Sequence, residues 1–143
     1  MLRKTTLEII TAMLVLLFIY AASSKLLDYD LFRFQIGKSP FLTGFATPVS
    51  IIVPAIEILI VTMLIINRWR IWGLYAALFL MILFTGYVYA ILQYSDHIPC
   101  SCGGLISAMS WNQHLLFNVV ITVLTIVAIL FYKEAGKTSS PSF

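Results

Sequence analysis

The sequence predicts an all-α integral membrane protein, a bundle of four transmembrane helices with both termini on the cytoplasmic side. Three observations carry that prediction. Of 143 residues, 61% are hydrophobic and only 10% charged, where an ordinary soluble domain carries roughly 25% charged residues. A chain this short buries only about 70% of its surface on folding, so a soluble globule has nowhere to hide so much apolar area. The mean hydropathy is +0.99, and the apolar residues gather into runs of the about 20 residues that cross a hydrocarbon core. The same composition excludes disorder, which requires polar, charge-rich sequence. It also argues against nucleic-acid binding. Nine Lys and Arg against six Asp and Glu leave a net charge of +3, scattered in ones and twos where a basic stripe would be needed. The length allows one domain, residues 1–143.

The four spans are taken in order. The first runs from Leu7 to Leu27 and the second from Pro48 to Asn67. The third runs from Ile71 to Gln93 and the fourth from Trp111 to Tyr132, leaving a polar tail over 133–143 that is expected to fray. Arg3 and Lys4, the apolar stretch to Tyr20 and the small residues Ala21 to Ser24 also have the layout of a cleavable signal peptide. The apolar run continues through Leu26 and Leu27, however, and is read as a retained membrane helix. Pro54 should kink the second span, and Gly86 with Ala90 forms a small-residue face that permits close helix contact. In the first long connection, Tyr29, Phe32 and Ile36 share one helical face. This is either an amphipathic segment lying on the outer leaflet or a lid packed over the end of the bundle.

Basic residues set the expected orientation. Arg3 and Lys4, Arg68 and Arg70, and Lys133 and Lys137 flank the spans on one side, which should be the cytoplasm. The connection from Tyr94 to Ser110 has no Lys or Arg, as an exported loop should. The ends are thus expected inside and both longer loops outside.

That loop carries the most informative stretch, His97-Ile98-Pro99-Cys100-Ser101-Cys102-Gly103-Gly104. Its two cysteines are the only ones in the chain. Residues two apart lie at most about 6.6–7.2 Å from each other, and a modest bend brings them into the about 4.4–6.8 Å that a disulfide spans. Pro99, Gly103 and Gly104 supply such a bend, and disulfides persist on the exported side of a membrane. So small a ring removes little chain entropy, which favours thiol–disulfide exchange over stapling. Two other readings stay open: a pair that only shapes the loop, and a soft-metal site for Cu(I) or Zn(II) shared with His97 and His114. Either histidine, as a cation near a thiol, would raise the thiolate fraction.

Glu57 is the one acidic residue in the interior of a span. A carboxylate there must face the bundle interior and find a partner. Lys25, near the end of the first span, is the leading cation, although it sits several residues from the depth of Glu57. Asn118 in the fourth span is the alternative hydrogen-bond partner. Glu57 reads either as an interhelical polar clasp or as a proton acceptor in contact with a quinone head. No cofactor is fixed by the residues, and quinone is the candidate.

Together these residues give a resemblance to the MauE/DoxX group of small bacterial four-helix membrane proteins. It rests on Ser24-Lys25-Leu26-Leu27-Asp28, Pro54-Ala55-Ile56-Glu57, Pro99-Cys100-Ser101-Cys102-Gly103-Gly104 and Asn118, and runs from Leu7 to Phe131. The chain departs from the group's usual pattern at Ala21, where a glycine is common, and at Gly103, where an aromatic residue is common. The resemblance implies a redox-associated membrane component working beside exported thioredoxin-like proteins during disulfide formation or protein maturation. It is also similar in function, without matching motifs, to DsbB and vitamin K epoxide reductase, which pass electrons from thiols to quinone. Those proteins carry a second cysteine pair that is absent from this sequence. The rival implication is a non-catalytic accessory subunit of a larger membrane complex.

Overall fold

The computed structural model describes residues 2–38, 43–94 and 111–139. These are nearly all helical, and no strand occurs among them. Helix α1 spans Leu2–Leu27, α2 Tyr29–Lys38, α3 Ala46–Ile65, α4 Arg70–Tyr94 and α5 Trp111–Ser139. Four of them, all but the short α2, are long and apolar enough to cross a membrane. The four helices pack in a ring, α1–α3–α4–α5, so that α3 and α5 stand on one diagonal and α1 and α4 on the other. Consecutive spans alternate in direction. One end of the bundle therefore holds both chain ends and the α3–α4 turn, and is called the terminal end below. The other, the loop end, holds α2 and the point where α4 leads into the 95–110 connection.

Each helix buries one stripe at helical spacing. On α1 it is Leu7, Ile10, Leu14, Phe18 and Ala22; on α3 it is Ser50, Pro54, Glu57, Val61 and Leu64. The outward faces are apolar instead, with Leu16, Phe79 and Leu116 each about two-thirds exposed. The buried polar residues Thr11, Ser50, Glu57, Asn118 and Thr125 lie inside. Apolar outside and polar inside is the arrangement a hydrocarbon solvent selects. Thr125 meets its own need by donating to the Ile121 carbonyl at 2.8 Å.

The turns follow from local chemistry. Between α1 and α2 the backbone keeps bonding through the junction, Asp28 N–H to Ser24 O and Phe32 N–H to Asp28 O. Helix α3 ends where Ile66 turns extended, and a single 3₁₀ turn over Asn67–Trp69 reverses the chain into α4. Arg70 then ties that turn down, donating from Nε to the Leu64 carbonyl at 3.1 Å and from Nη1 to Glu8 at 2.7 Å. Beside it, Arg3 of α1 reaches Glu134 of α5 at 2.6 Å.

Three expectations are revised. The tail beyond Tyr132 does not fray at once: α5 stays helical to Ser139, its first polar turn held by the Arg3–Glu134 pair and by Lys133 over the Tyr75 ring. The segment at Tyr29 is a lid. Helix α2 packs on α3, Ile36 is 6% exposed, and Tyr29 shares a 3.1 Å hydrogen bond with Ser50. Gly86 is not a close-packing point, because a methyl group there would meet nothing within 4 Å. Gly73 takes that role. A Cβ on it would lie 3.0 Å from the Leu64 nitrogen and 3.1 Å from Met63 Cβ. Only a residue without a side chain lets α4 lie so near the end of α3.

Gly73→Ala should accordingly lower stability by about 1–3 kcal/mol through overpacking against backbone, whereas Gly86→Ala should leave it unchanged or slightly raised. Thermal unfolding of the two purified variants in one detergent makes the comparison. Equal melting temperatures would remove the close approach at Gly73 from the account.

Candidate functional site at the loop end

The buried stripe of α1 advances from Phe18 through Ala22 and, three residues on, reaches Lys25. That of α3 passes through Pro54 and reaches Glu57. Since α1 and α3 are neighbours in the ring, the two stripes bring the charges face to face. Lys25 Nζ donates to Glu57 Oε1 at 2.9 Å. The carboxylate is wholly buried and the ammonium's side chain is 17% exposed. The difference in depth is bridged by the lysine stem, whose four methylenes run along the helix and deliver the charge away from its own backbone. A second bond, to the Ala21 carbonyl at 3.3 Å, holds it there.

Aromatic rings complete the enclosure. Lys25 Nζ lies 5.8 Å from the centroid of Phe32 on α2 and 5.8 Å from that of Phe84 on α4. A cation over an aromatic face gains about 0.5–2 kcal/mol, more as water is excluded. The lid is thus anchored twice, by Phe32 over the ammonium and by Tyr29 on Ser50. Ser50 in turn donates to the Thr47 carbonyl at 2.7 Å. Pro54 lacks the N–H that would bond the Ser50 carbonyl, and it too is fully buried on this stripe.

From α5 come His114, half-buried and within electrostatic reach of Lys25, and Asn118 one turn below it, 4% exposed. All four membrane-spanning helices and the lid therefore place a side chain around the Lys25 ammonium. Asn118 is not the hydrogen-bond partner of Glu57; Lys25 is. The roles of Ser50, Phe84 and Gly73 were not singled out from the sequence. For Ser50, its place one turn before Pro54 on the Glu57 stripe was an available signal.

His97, Pro99, Cys100, Cys102, Gly103 and Gly104 lie outside the described residues. They belong to the connection that leaves α4 and enters α5 at this same end of the bundle. Among the described residues, no three His, Cys, Asp or Glu side chains come together as a metal would need.

A family model described as methylamine utilisation protein MauE matches residues 3–131. The chain belongs to the MauE family. The match takes in all four spans, the Lys25–Glu57 pair and the Cys-x-Cys stretch. Comparison with curated proteins and with solved structures gives no match. The MauE chain is therefore a multi-pass membrane protein whose four-helix architecture rests on its own structure.

Removing one member of a buried ion pair strands the other, at about 3–5 kcal/mol. Lys25→Met should fall in that range, since the Glu57 carboxylate is wholly buried and would lose its cation. Glu57→Leu should fall below it, because the freed lysine can swing toward the interface. The double variant should recover most of the loss. Denaturant unfolding of all four proteins in mixed micelles gives the coupling energy, and additive losses would show that the pair does not act as a unit.

Proposed function

We propose that this MauE-family protein is a bacterial inner-membrane component that exchanges thiol and disulfide equivalents with an exported thioredoxin-like partner, in support of protein maturation. What supports the reading is that the sole cysteine pair in the sequence, Cys100 and Cys102, falls between Tyr94 and Trp111, where α4 ends and α5 begins. That is the end at which all four spans place a side chain around Lys25. In the exchange, a thiolate of the partner attacks one sulfur of the Cys100–Cys102 disulfide. The S–S bond breaks, a mixed disulfide forms, and the other cysteine leaves as a thiolate that takes a proton from water. The partner's second thiolate then attacks the mixed disulfide. The partner leaves oxidised by two electrons and the pair remains as two thiols. The same steps run in reverse when the partner begins oxidised.

Pro99, Gly103 and Gly104 keep the sulfurs approachable, and His97 and His114 favour the thiolate. The Lys25–Glu57 pair is the rigid support beneath. The termini, with Arg3, Arg68, Arg70 and Lys133, face the cytoplasm in this reading. The second reading, an accessory subunit of a larger complex, draws on the family's methylamine-utilisation context, and in it the cysteines only shape a docking loop.

A membrane-impermeant maleimide applied to intact spheroplasts should label Cys100 and Cys102 only after reductant. Cys102→Ala or Cys100→Ala should accumulate a mixed disulfide with a thioredoxin-fold protein, resolved by reductant on a gel. Labelling only after the membrane is opened, or a double Ser variant that still supports maturation, would leave the accessory-subunit reading in its place.

A further inference from the structure

Glu57 Oε2 and Asn118 Nδ2 are buried deep in the bundle without a hydrogen-bond partner among the described residues. Their chemistry is complementary, since a carboxylate oxygen accepts and an amide nitrogen donates. Glu57 is 0% exposed and Asn118 4%. Neighbouring helices close such a gap by a direct bond between side chains. These two stand on α3 and α5, however, which face each other across the diagonal of the ring. Left bare, each group forfeits the hydrogen bond it would make to water, and lipid offers nothing to replace it.

We propose that the bundle core binds a water molecule between Glu57 and Asn118, which donates to Oε2 and accepts from Nδ2. Buried waters occupy sites of this kind, making about three hydrogen bonds to groups the protein itself leaves unpaired. The choice of residues fits. Lys25 occupies only Oε1 and the Ala21 carbonyl, so the ion pair turns one carboxylate oxygen toward the lysine and leaves the other for the diagonal. The water extends the polar region from the α1–α3 pair to α5 and joins opposite helices without moving either backbone. This inference is independent of the cysteine pair.

Hydroxyl-radical footprinting in ¹⁸O-water, with the full chain in proteoliposomes, tests it. Radicals formed from a bound water oxidise the side chains around it, and Phe84 lies against Lys25 beside the site. Phe84 should take up ¹⁸O, while Leu83, next in sequence and half-exposed on the outer face, should stay protected by lipid. Asn118→Leu, nearly the same shape and without the donor, should lose the Phe84 label while the Lys25–Glu57 pair persists. Glu57→Leu should lose it as well. Because Asn118→Leu leaves the ion pair in place, its fold is checked by its melting curve, and the outcome does not depend on the harsher variant. An unlabelled Phe84 in the natural sequence overturns the site. So does a label of equal strength in a folded Asn118→Leu protein, which would trace the radicals to water elsewhere.

Discussion

A carboxylate buried away from bulk water must meet a cation or give up its charge, and most of the loop end follows from that demand on Glu57. Lys25 meets it at 2.9 Å, and Phe32 and Phe84 line the space around the ammonium. Helix α2 covers the region through Phe32 and Tyr29. Such a pair adds little net stability over an apolar replacement of equal shape, because desolvating two charges offsets their attraction. Its contribution is to selectivity among arrangements. A bundle whose helices rotated or slipped by one turn would separate the charges in hydrocarbon. The terminal end has no comparable constraint: Arg3 and Glu134 are 66% and 50% exposed, and pairs of that kind are worth at most about 1 kcal/mol.

Between these ends the bundle cannot rely on hydrophobic association, since lipid tails are as apolar as the side chains they would replace. Close contact has to supply what exclusion from water supplies in a soluble core. Gly73 serves this at the α3–α4 corner, and Leu14, Leu64, Leu74 and Ala77, all fully buried, serve it along the axis. The polar groups inside are few: Ser50 and Thr125 bond within their own helix, and the Lys25–Glu57 and Ser50–Tyr29 bonds join one helix to another.

Much of this was legible in the sequence because membranes enforce it crudely. Four runs of about the bilayer's thickness, and a turn of a few residues at Asn67, leave little freedom in topology. Glu57 stood out for the same reason: one acidic residue inside a span must be satisfied. The partner was nameable, but the bond was not, because sequence gives the depth of a Cα and not the reach of a lysine stem. The small-residue pair at Gly86 and Ala90 was misleading, whereas Gly73, which has Ala77 at the same spacing, was the true contact. Which glycine faces a helix depends on the rotation of the whole span, and the α4 sequence is apolar on every side. The helical end of α5 was hidden in a polar tail, since only the fold brings Arg3 beside Glu134 and Tyr75 beneath Lys133.

Membership of the MauE family attaches these features to a class of membrane proteins. The bundle itself explains how so small a chain holds a buried ion pair in its core. The position of the ion pair along the chain has a bearing on how the protein is made. Both of its charges fall within the first 65 residues, on α1 and α3, and domains are synthesised from the N-terminus onward. The lysine and the glutamate therefore emerge and can neutralise each other before α4 has left the ribosome, so the two helices can enter the bilayer with the buried carboxylate already paired, and the last two spans assemble on them.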